Sequence, residues 1–490
     1  MRRRAGLLLI LAGCAVPPLT IEGRQCATDD PCPEPYRCVA LESGGSLCTT
    51  GCPEQSSCAP TEGRSCSSAS PCPPSHRCVR LGPTASACSS ACPANVPFEP
   101  LELNCTDALD NDCDGRVGSS RDVVLIEAPA EQPSWAWVSD GGYAAVYVRP
   151  QGTHPRLHFQ RFDPALVPAG GSVAVSESTS AASEPLLIPL PGQTFGVLWL
   201  DKGAPDAGAL TRVMFARVDA TGSTVLPPRV LGAASAIRGR PRGAWSNPVG
   251  SLLVLWIEEP ARAAFSVSLL PDGTILRPRA AFPRTTGALT GLTQLDLTDR
   301  VATNYDAGFA AGWMEQGDSA SPWFLFVDRD ADPLVRVSMG GAGQRSNLRA
   351  GNSLVKNFER TFFVWSESTA GQSTLTGRST SAGANLFTLA GSLAVANVYQ
   401  DLELAISSDS TVFNYLDVAA LTADGAARII VSKLFPGNNE PSNSRVQAQF
   451  KADARAPVIA IGGGRHAFAY QVDAGPSGRE IRAQLHCNPQ

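Results

Sequence analysis

Short apolar runs separated by polar turn residues recur along the chain from about residue 121. Seven of them share one form, in which aliphatic residues precede an aromatic residue and polar or acidic residues follow it. The runs are GYAAVYVR, FGVLWLDKG, LLVLWIEE, FAAGWMEQG, TFFVWSES, TVFNYLD and HAFAYQVD. Each is too short for a typical helix and apolar at nearly every position, as expected of a strand buried on both faces. The pattern therefore predicts an all-β region.

The aromatic residue of each run recurs at intervals of 50–57 residues. These anchors are Tyr147, Trp199, Trp256, Trp313, Trp365, Tyr415 and Tyr470. Between them lie further strand-like segments, such as RLHFQRFD, TRVMFARVD and AAFSVSLL, and turn signals such as Asp272-Gly273. A period of this length with about four strands is typical of a propeller blade. Residues 121–490 thus resemble the β-propeller superfold. Seven blades are expected, with six or eight as alternatives.

The last repeat holds only about three strands, between Ala456 and Cys487. The apolar segment from Arg121 to Pro129 precedes the first repeat and can supply the missing outer strand. A ring closed by strands from both ends of the domain has no open sheet edge. Closure of this kind would bring Cys487 near Cys105 or Cys113, and we predict a disulfide there.

The first residues of the chain have the pattern of an export signal. Arg2, Arg3 and Arg4 precede an apolar run, Leu7 to Leu11, that is too short to span a bilayer. The following Leu11-Ala12-Gly13-Cys14 resembles the lipobox of bacterial lipoproteins. The resemblance implies a signal peptide over residues 1–13, diacylation of Cys14 and a lipid-anchored linker over residues 14–25. It also implies an outer-membrane or cell-surface location, with the membrane as a partner.

Two cysteine-rich segments, module 1 (residues 26–60) and module 2 (residues 61–100), repeat each other at an offset of forty residues. Five cysteines of module 1 match five of module 2: Cys26 with Cys66, Cys32 with Cys72, Cys38 with Cys78, Cys48 with Cys88, and Cys52 with Cys92. With Cys58, Cys105, Cys113 and Cys487 they make fourteen cysteines besides Cys14, an even number that indicates disulfides in an exported protein. The modules resemble short cysteine-rich repeats of bacterial surface proteins, which favours a stiff stalk over a ligand-binding unit.

Residues 101–120 contain three aspartates at alternate positions, Asp110, Asp112 and Asp114, ahead of Gly115. This is the first half of a calcium loop, but its twelfth position is Arg121 instead of glutamate. The segment also resembles a short Asp/Cys metal-binding motif of bacterial surface proteins. That resemblance implies calcium held by the three aspartates, with Cys105 and Cys113 bridged around them. A disulfide-tied hinge without metal is the alternative.

The charges suggest two candidate sites in the propeller. Asp201, Glu258, Glu315, Glu367 and Asp417 each lie two residues beyond an anchor, and acids that follow the repeat favour a structural role over glycosidase chemistry. Arg240, Arg242, Arg349 and Arg455 precede segments expected to be inner strands. Converging there, they would bind an anionic glycan or carboxylate. The alternative for these arginines is solvated loops.

The chain has a formal net charge of -5, which does not indicate the positively charged surface expected of a nucleic-acid-binding protein. It also lacks the G-x-S-x-G, H-E-x-x-H, P-loop and dinucleotide motifs. The sequence therefore favours a non-enzymatic surface lipoprotein, whose stalk presents a propeller to an unidentified protein or polysaccharide. An extracellular glycan-active hydrolase or lyase, with its site in the propeller channel, is the alternative function.

Overall fold

The computed structural model describes a large part of the chain, chiefly the propeller region. Its described residues are 37–40, 46–49, 77–80, 86–89, 123–150, 154–177, 181–202, 210–284, 288–300, 308–315, 322–339, 344–355, 358–369, 372–380, 386–388, 393–395, 399–407, 414–422, 427–434, 445–449, 454–462 and 465–487. The export signal, Cys14 and the aspartates of the calcium-like loop lie outside these residues. The predictions made for them remain predictions.

The chain divides into two compact units, one of residues Met1–Val79 and Ala85–Asn95, the other of Arg80–Thr84 and Val96–Gln490. Two short hairpins repeat at the offset seen in the sequence: β1 (Arg37–Ala40) with β2 (Ser46–Thr49), and β3 (Arg77–Arg80) with β4 (Ser86–Ser89). The equal length and pairing of the two hairpins agree with a duplicated module.

The predicted framework of disulfides is largely untested by the described residues. Nine of the fourteen cysteines lie outside them: Cys26, Cys32, Cys52, Cys58, Cys66, Cys72, Cys92, Cys105 and Cys113. The other five lie in strands: Cys38, Cys48, Cys78, Cys88 and Cys487. Cys38 lies opposite Cys48 in the first hairpin, and Cys78 is disulfide-bonded.

The described part of the chain shows no wider disulfide framework than this. The expectation of a disulfide-rich N-terminal region is therefore not confirmed. For module 2, the bonds expected of Cys66, Cys72, Cys88 and Cys92 stay predictions, as does the bond between Cys487 and Cys105 or Cys113.

The second unit is an all-β propeller, as predicted. The first blade comprises β6 (Glu131–Trp137), β7 (Tyr143–Arg149), β8 (Arg156–Phe162) and β9 (Val173–Ala174), and the second β10 (Ala181–Leu190), β11 (Thr194–Lys202), β12 (Thr211–Asp219) and β13 (Thr224–Ala234). The third comprises β14 (Ile237–Ser246), β15 (Ser251–Glu258), β16 (Ala263–Leu269) and β17 (Ile275–Ala281), and the fourth β18 (Leu292–Asp299), β19 (Phe309–Glu315), β20 (Trp323–Val327) and β21 (Pro333–Ser338). All four are antiparallel meanders.

The remaining strands follow the same plan with one irregular sheet. That sheet comprises β22 (Gln344–Val355), β23 (Phe358–Thr369), β24 (Gln372–Thr380), β25 (Leu386–Thr388) and β26 (Leu393–Val395). It is followed by β27 (Tyr399–Ser407), β28 (Asn414–Thr422), β29 (Ala427–Leu434) and β30 (Arg445–Gln449). The closing blade comprises β31 (Arg455–Gly462), β32 (Arg465–Asp473) and β33 (Arg479–Cys487), with β5 (Val123–Ile126) as its outer strand. A 3₁₀ turn, η1 (Gly475–Ser477), links β32 to β33.

The expectation of seven equal four-stranded blades needs correction. Among the described strands, six sheets are regular four-stranded blades. Six blades was one of the two alternatives that the sequence analysis allowed. The sheet that contains Trp365 has five strands, because β25 and β26 each pair with part of the same strand, β24. The aromatic period marks one buried strand per repeat. It therefore carries no information on how the outer edge of a sheet is divided.

The aromatic anchors occupy equivalent positions, each in the second strand of its sheet. Six of them are at most 1% exposed: Tyr147, Trp199, Trp256, Trp313, Trp365 and Tyr470. The β15 strand is buried at every position, as predicted for a strand covered by neighbouring blades on both faces. Burial of these large rings between blades stabilises the propeller, since it removes a large apolar surface from water.

The ring closes with strands from both ends of the domain, as the sequence predicted. In the closing blade, β5 pairs antiparallel with β33, placing Val124 opposite Arg482 and Ile126 opposite Ile481. Leu125 is 2% exposed and packs in a cluster that includes Trp135 and Tyr143 of the first blade. The segment before the first blade therefore covers an edge that would otherwise be open.

The first strand of each blade faces the central axis, and in most blades it contains a β-bulge near its start. Residues with positive φ, between 45° and 65°, stand at these bulges: Gln132, Glu184, Gly239, Asn347 and Ala456. A bulge leaves backbone N–H groups without a ladder partner. Side chains of the preceding blade satisfy them: Gln132 Oε1 accepts from Glu184 N–H at 2.7 Å, and Gln294 Oε1 accepts from Leu348 N–H. The bulges thus join successive inner strands.

Candidate functional site

A cavity of about 410 Å³ lies at the end of the propeller where the inner strands begin. It is lined by the starts of β14 and β18, the bulge of β22 and the end of β15. The sequence Ile237-Arg-Gly-Arg-Pro-Arg242 places arginines at alternate positions of β14, and the bulge between Arg238 and Arg242 redirects them. Gly239 supplies the left-handed conformation, with φ +65°. Arg238, Arg240 and Arg242 consequently all line the cavity.

A fourth guanidinium comes from a different blade. Arg349 follows the bulge of β22, where Asn347 has φ +59°, and it lines the same cavity. Its Nη1 donates to the backbone oxygen of Leu348 at 2.9 Å. Side chains from three successive inner strands, β14, β18 and β22, therefore line one cavity. This arrangement differs from the alternative in which the arginines lie on separate solvated loops.

Ion pairs hold the cavity arginines in place. Arg242 Nε lies 3.3 Å from Asp296 Oδ1, and Arg240 Nε lies 3.9 Å from Glu184 Oε2. Arg238 Nη1 lies 3.5 Å from Glu259 Oε1. None of these carboxylates is among the described residues that line the cavity, which contribute four guanidinium groups and no acid. The arrangement is complementary to an anion with planar or tetrahedral oxygens.

The structure brings together three of the four arginines expected at the channel mouth: Arg240, Arg242 and Arg349. Arg455, at the start of β31, is exposed and is not among the residues that line this cavity. Arg238 also lines the cavity, and the sequence analysis missed it. The signal was present, since Arg238 continues the alternation of Arg240 and Arg242 by one step.

Four of the acids that follow the anchors, all but Asp417, have described side chains, and these are engaged within their own blades. Trp256 Nε1 donates to Glu258 Oε1 at 2.8 Å, and Arg279 binds both oxygens of Glu258 at 3.0 and 2.7 Å. Asp201 pairs with Arg212 at 2.7 Å, and Glu315 with Arg336 at 3.6 Å. None of these acids is among the residues that line the described arginine cavity. Their geometry supports the structural role.

A second cavity, of about 760 Å³, lies at the opposite end of the propeller. The end of β6, the β10–β11 turn and Asn247 line it, and Trp137 and Ile459 contribute apolar surface. No charged side chain is among the described residues that line it. The two mouths therefore differ in chemistry, and the cationic one is the better candidate for binding an acidic ligand.

The described residues contain no group of three or more His, Cys, Asp or Glu side chains positioned to hold a metal ion. Asp110, Asp112 and Asp114 lie outside them, so calcium binding there stays a prediction. No helix in the described part of the chain is long and apolar enough to cross a membrane.

Comparisons with solved structures agree with the propeller fold. A polysaccharide lyase of family PL25, an ulvan lyase, matches with a TM-score of 0.47 and 9% identity, over 75% of this chain and 96% of that one. The GH93 α-L-arabinofuranosidase of Fusarium graminearum matches with a TM-score of 0.43 and 9% identity, over 76% and 98%. The Trypanosoma rangeli sialidase matches with a TM-score of 0.41 and 8% identity, over 75% and 59%. No protein-family model and no curated protein sequence matches the chain.

All three of these proteins are enzymes. This finding contradicts the expectation that the chain is not an enzyme, and we withdraw that expectation. The expectation of a non-enzymatic protein rested on the absence of sequence motifs for nucleophile elbows, metal-binding helices and phosphate loops. An active site in a propeller channel can be assembled from side chains of several blades, and such a site has no contiguous sequence motif. At 8–9% identity and TM-scores of 0.41–0.47, the likeness assigns neither an activity nor a substrate to this chain.

Proposed function

We propose that the protein is an extracellular glycan-active enzyme, a hydrolase or a lyase, that binds an anionic polysaccharide at its arginine-lined mouth. One observation carries the proposal: four guanidinium groups from two inner strands line a single cavity, and no carboxylate is among the described residues that line it. The cavity volume of about 410 Å³ is within the range of small-molecule sites.

The chemistry of guanidinium suits acidic sugars. A planar guanidinium binds a carboxylate or sulfate through two parallel hydrogen bonds, and it keeps its charge at all physiological pH values. In a lyase, neutralising a uronate carboxylate makes the adjacent C–H proton easier to remove. In a hydrolase, the same contacts would hold the acidic sugar beside a pair of carboxylates. Glu184 and Asp296 contact lining arginines and are the described carboxylates to test first.

The binding part of the proposal is tested by affinity electrophoresis in polygalacturonate, dextran sulfate and neutral dextran. We expect retardation by an acidic polymer that weakens with salt, and at least about 10-fold weaker binding by Arg242→Gln and Arg349→Gln. Arg455→Gln is the matched control, because Arg455 stands on another inner strand outside the cavity. Equal binding by wild type and both cavity variants would overturn the assignment of this mouth.

The enzymatic part needs a separate measurement on the same polymers. A lyase produces unsaturated uronate ends that absorb ultraviolet light, whereas a hydrolase produces reducing ends without that absorbance. Retarded mobility with no product of either kind would leave a binding site and refute the enzyme. Either product, reduced in Arg349→Gln and retained in Arg455→Gln, would support it.

We also propose that the propeller is held at the outer membrane or cell surface by diacylated Cys14. The lipobox-like sequence ahead of that residue supports the proposal. A Cys14→Ser variant is expected to move from the membrane fraction to the soluble fraction. An unchanged distribution would count against the anchor.

A calcium ion bound by Asp110, Asp112 and Asp114 is a further proposal, supported by their alternate spacing ahead of Gly115. Isothermal titration with calcium should give heat for the wild type and much less for Asp112→Ala. Negligible heat from both proteins would contradict calcium binding by these aspartates.

A further inference from the structure

The first blade departs from the repeat at one position. Two residues beyond the anchor, the next four blades carry an acid: Asp201, Glu258, Glu315 and Glu367. The first blade carries Arg149 there. In the second blade, Asp201 lies opposite Arg212 in the ladder and forms a 2.7 Å ion pair with it. In the first blade, Arg149 lies opposite Arg156, so two cations occupy the place of an ion pair.

The neighbouring pair of the ladder adds an imidazole. Tyr147 lies opposite His158, two residues from the arginine pair on each strand. Since side chains alternate along a strand, all four point to the same face of the blade. The His158 ring stacks on Tyr147 with 5.8 Å between ring centroids, and the Arg149 guanidinium lies 5.7 Å from the Tyr147 ring. The two guanidinium groups of Arg149 and Arg156 and the imidazole of His158 thus form one cluster on the same face of the blade.

Several polar atoms of this cluster are buried without a hydrogen-bond partner among the described residues. His158 is 8% exposed, and neither of its ring nitrogens has a hydrogen-bond partner among the described residues. The Nε atoms of Arg149 and Arg156 are also buried without a partner, although Arg156 Nη2 donates to the backbone oxygen of Ser176 at 3.0 Å. No described carboxylate forms an ion pair with either arginine. Buried polar groups left in this state destabilise a fold, and like charges directly opposite in a ladder add to the cost.

An oxyanion would satisfy all three residues at once. It accepts hydrogen bonds from guanidinium and imidazole N–H groups and neutralises the facing charges. Burial, followed by the charges of Arg149 and Arg156, lowers the pKa of His158 to about 4. The ring is therefore neutral at neutral pH and supplies one N–H donor.

We propose that Arg149, Arg156 and His158 form a binding site for an oxyanion, the sulfate, phosphate or carboxylate group of a ligand. The site is distinct from the arginine-lined mouth, although the end of β7 and the start of β8 lie at the same end of the propeller as that mouth. It stands whether or not the chain is a glycan-active enzyme. Its ligand is either a free anion or a charged group on a polymer.

Thermal unfolding in sodium sulfate, sodium phosphate and sodium chloride at matched ionic strength tests the site. For the wild type we expect a Tm increase of about 2 °C or more in sulfate or phosphate beyond that in chloride, at an anion concentration well above Kd. Arg149→Asp restores the acid found in the second blade and should pair with Arg156. It is expected to raise Tm without added anion and to abolish the specific increase.

Two further variants keep the test interpretable. Arg329→Asp makes the same charge change at an exposed side chain and should retain the increase, which excludes an effect of net charge. Arg149→Gln removes one cation without adding an acid and should weaken anion binding at least about 10-fold, so it replaces Arg149→Asp if that variant folds poorly. The proposal is overturned if wild type shows no increase beyond chloride, or if the Arg149 variants keep it in full.

The source of the anion is resolved by competition. Short polygalacturonate fragments that raise Tm in wild type, but not in Arg149→Gln, would identify a charged group of a polymer as the ligand. An increase with inorganic sulfate or phosphate alone would identify a free anion. Loss of polymer cleavage in Arg242→Gln with an intact sulfate response would separate this site from the mouth.

Discussion

The indole Nε1 of Trp256 donates a 2.8 Å hydrogen bond to Oε1 of Glu258, two residues further along the same strand. The relationship recurs in Trp313 with Glu315 at 3.2 Å and in Trp365 with Glu367 at 3.4 Å. A buried indole N–H needs an acceptor, and an acid at this spacing points to the same face of the strand. In these three sheets the aromatic anchor and the acid that follows it therefore act together, and their hydrogen bond stabilises the buried strand.

Replacing Glu258 with alanine should destabilise the propeller by about 2–3 kcal/mol, because Trp256 Nε1 and Arg279 would both lose a buried charged acceptor. Chemical denaturation measures the change. Glu315→Ala is the matched control: its carboxylate is 39% exposed and its partner Arg336 is 48% exposed, so we expect about 1 kcal/mol or less. Equal losses for the two variants would contradict the argument from burial.

Closure of the ring by β5 predicts that a mutation far from β31–β33 in sequence weakens the whole propeller. Leu125→Ala should cost about 2–4 kcal/mol, because its side chain fills a fully buried cluster between the closing and first blades. Val124→Ala, on the half-buried face of the same strand, should cost about 1 kcal/mol or less. If both variants unfold at the same denaturant concentration as wild type, β5 contributes nothing to closure.

His158 predicts a dependence of stability on pH. Its folded pKa of about 4 lies below the ordinary value of 6.5, chiefly because the ring is buried and also because Arg149 and Arg156 are near. Between these two values the unfolded chain binds the proton first. Acid therefore favours unfolding, and stability falls as pH drops from about 6.5 towards 4.

A comparison of wild type with His158→Gln isolates this effect, because all other titrating groups are common to both proteins. The measurement should be made in chloride buffer, since a bound oxyanion would favour the protonated ring. Wild type should lose more stability than His158→Gln over the acid range. Parallel pH profiles would show that folding does not lower the pKa of His158 and would contradict the prediction.

The sequence predicted the parts of the fold that depend on local pattern. The buried strand of each blade followed from continuous apolar runs around aromatic anchors such as Trp199 and Trp313. The RLHFQRFD, TRVMFARVD and AAFSVSLL segments became β8, β12 and β16. The turn at Asp272-Gly273 formed with the Asp272 carboxylate accepting from Thr274 N–H and with Gly273 at φ +83°. These outcomes rest on short-range chemistry.

The candidate site was only partly accessible from the sequence. Arg240, Arg242 and Arg349 were expected at a channel mouth, but Arg238 was missed and Arg455 lies outside the cavity. Whether a side chain near the start of an inner strand faces the channel depends on where the bulge falls. The bulge of β22 is joined to the preceding blade by a contact between residues far apart in sequence, since Gln294 Oε1 accepts from Leu348 N–H.

The sequence by itself determined that this chain forms a β-propeller closed by β5, the first strand of the propeller region. Each repeat contains an apolar run suited to burial on two faces, and turn residues separate its strands. Only the tertiary structure decided how the charges are used. It paired the repeating acids with indoles and arginines of their own blades, gathered Arg238, Arg242 and Arg349 at one mouth, and placed Arg149 against Arg156. Such contacts join residues far apart in the chain, and a periodic pattern fixes the position of a strand without fixing the partner of a side chain.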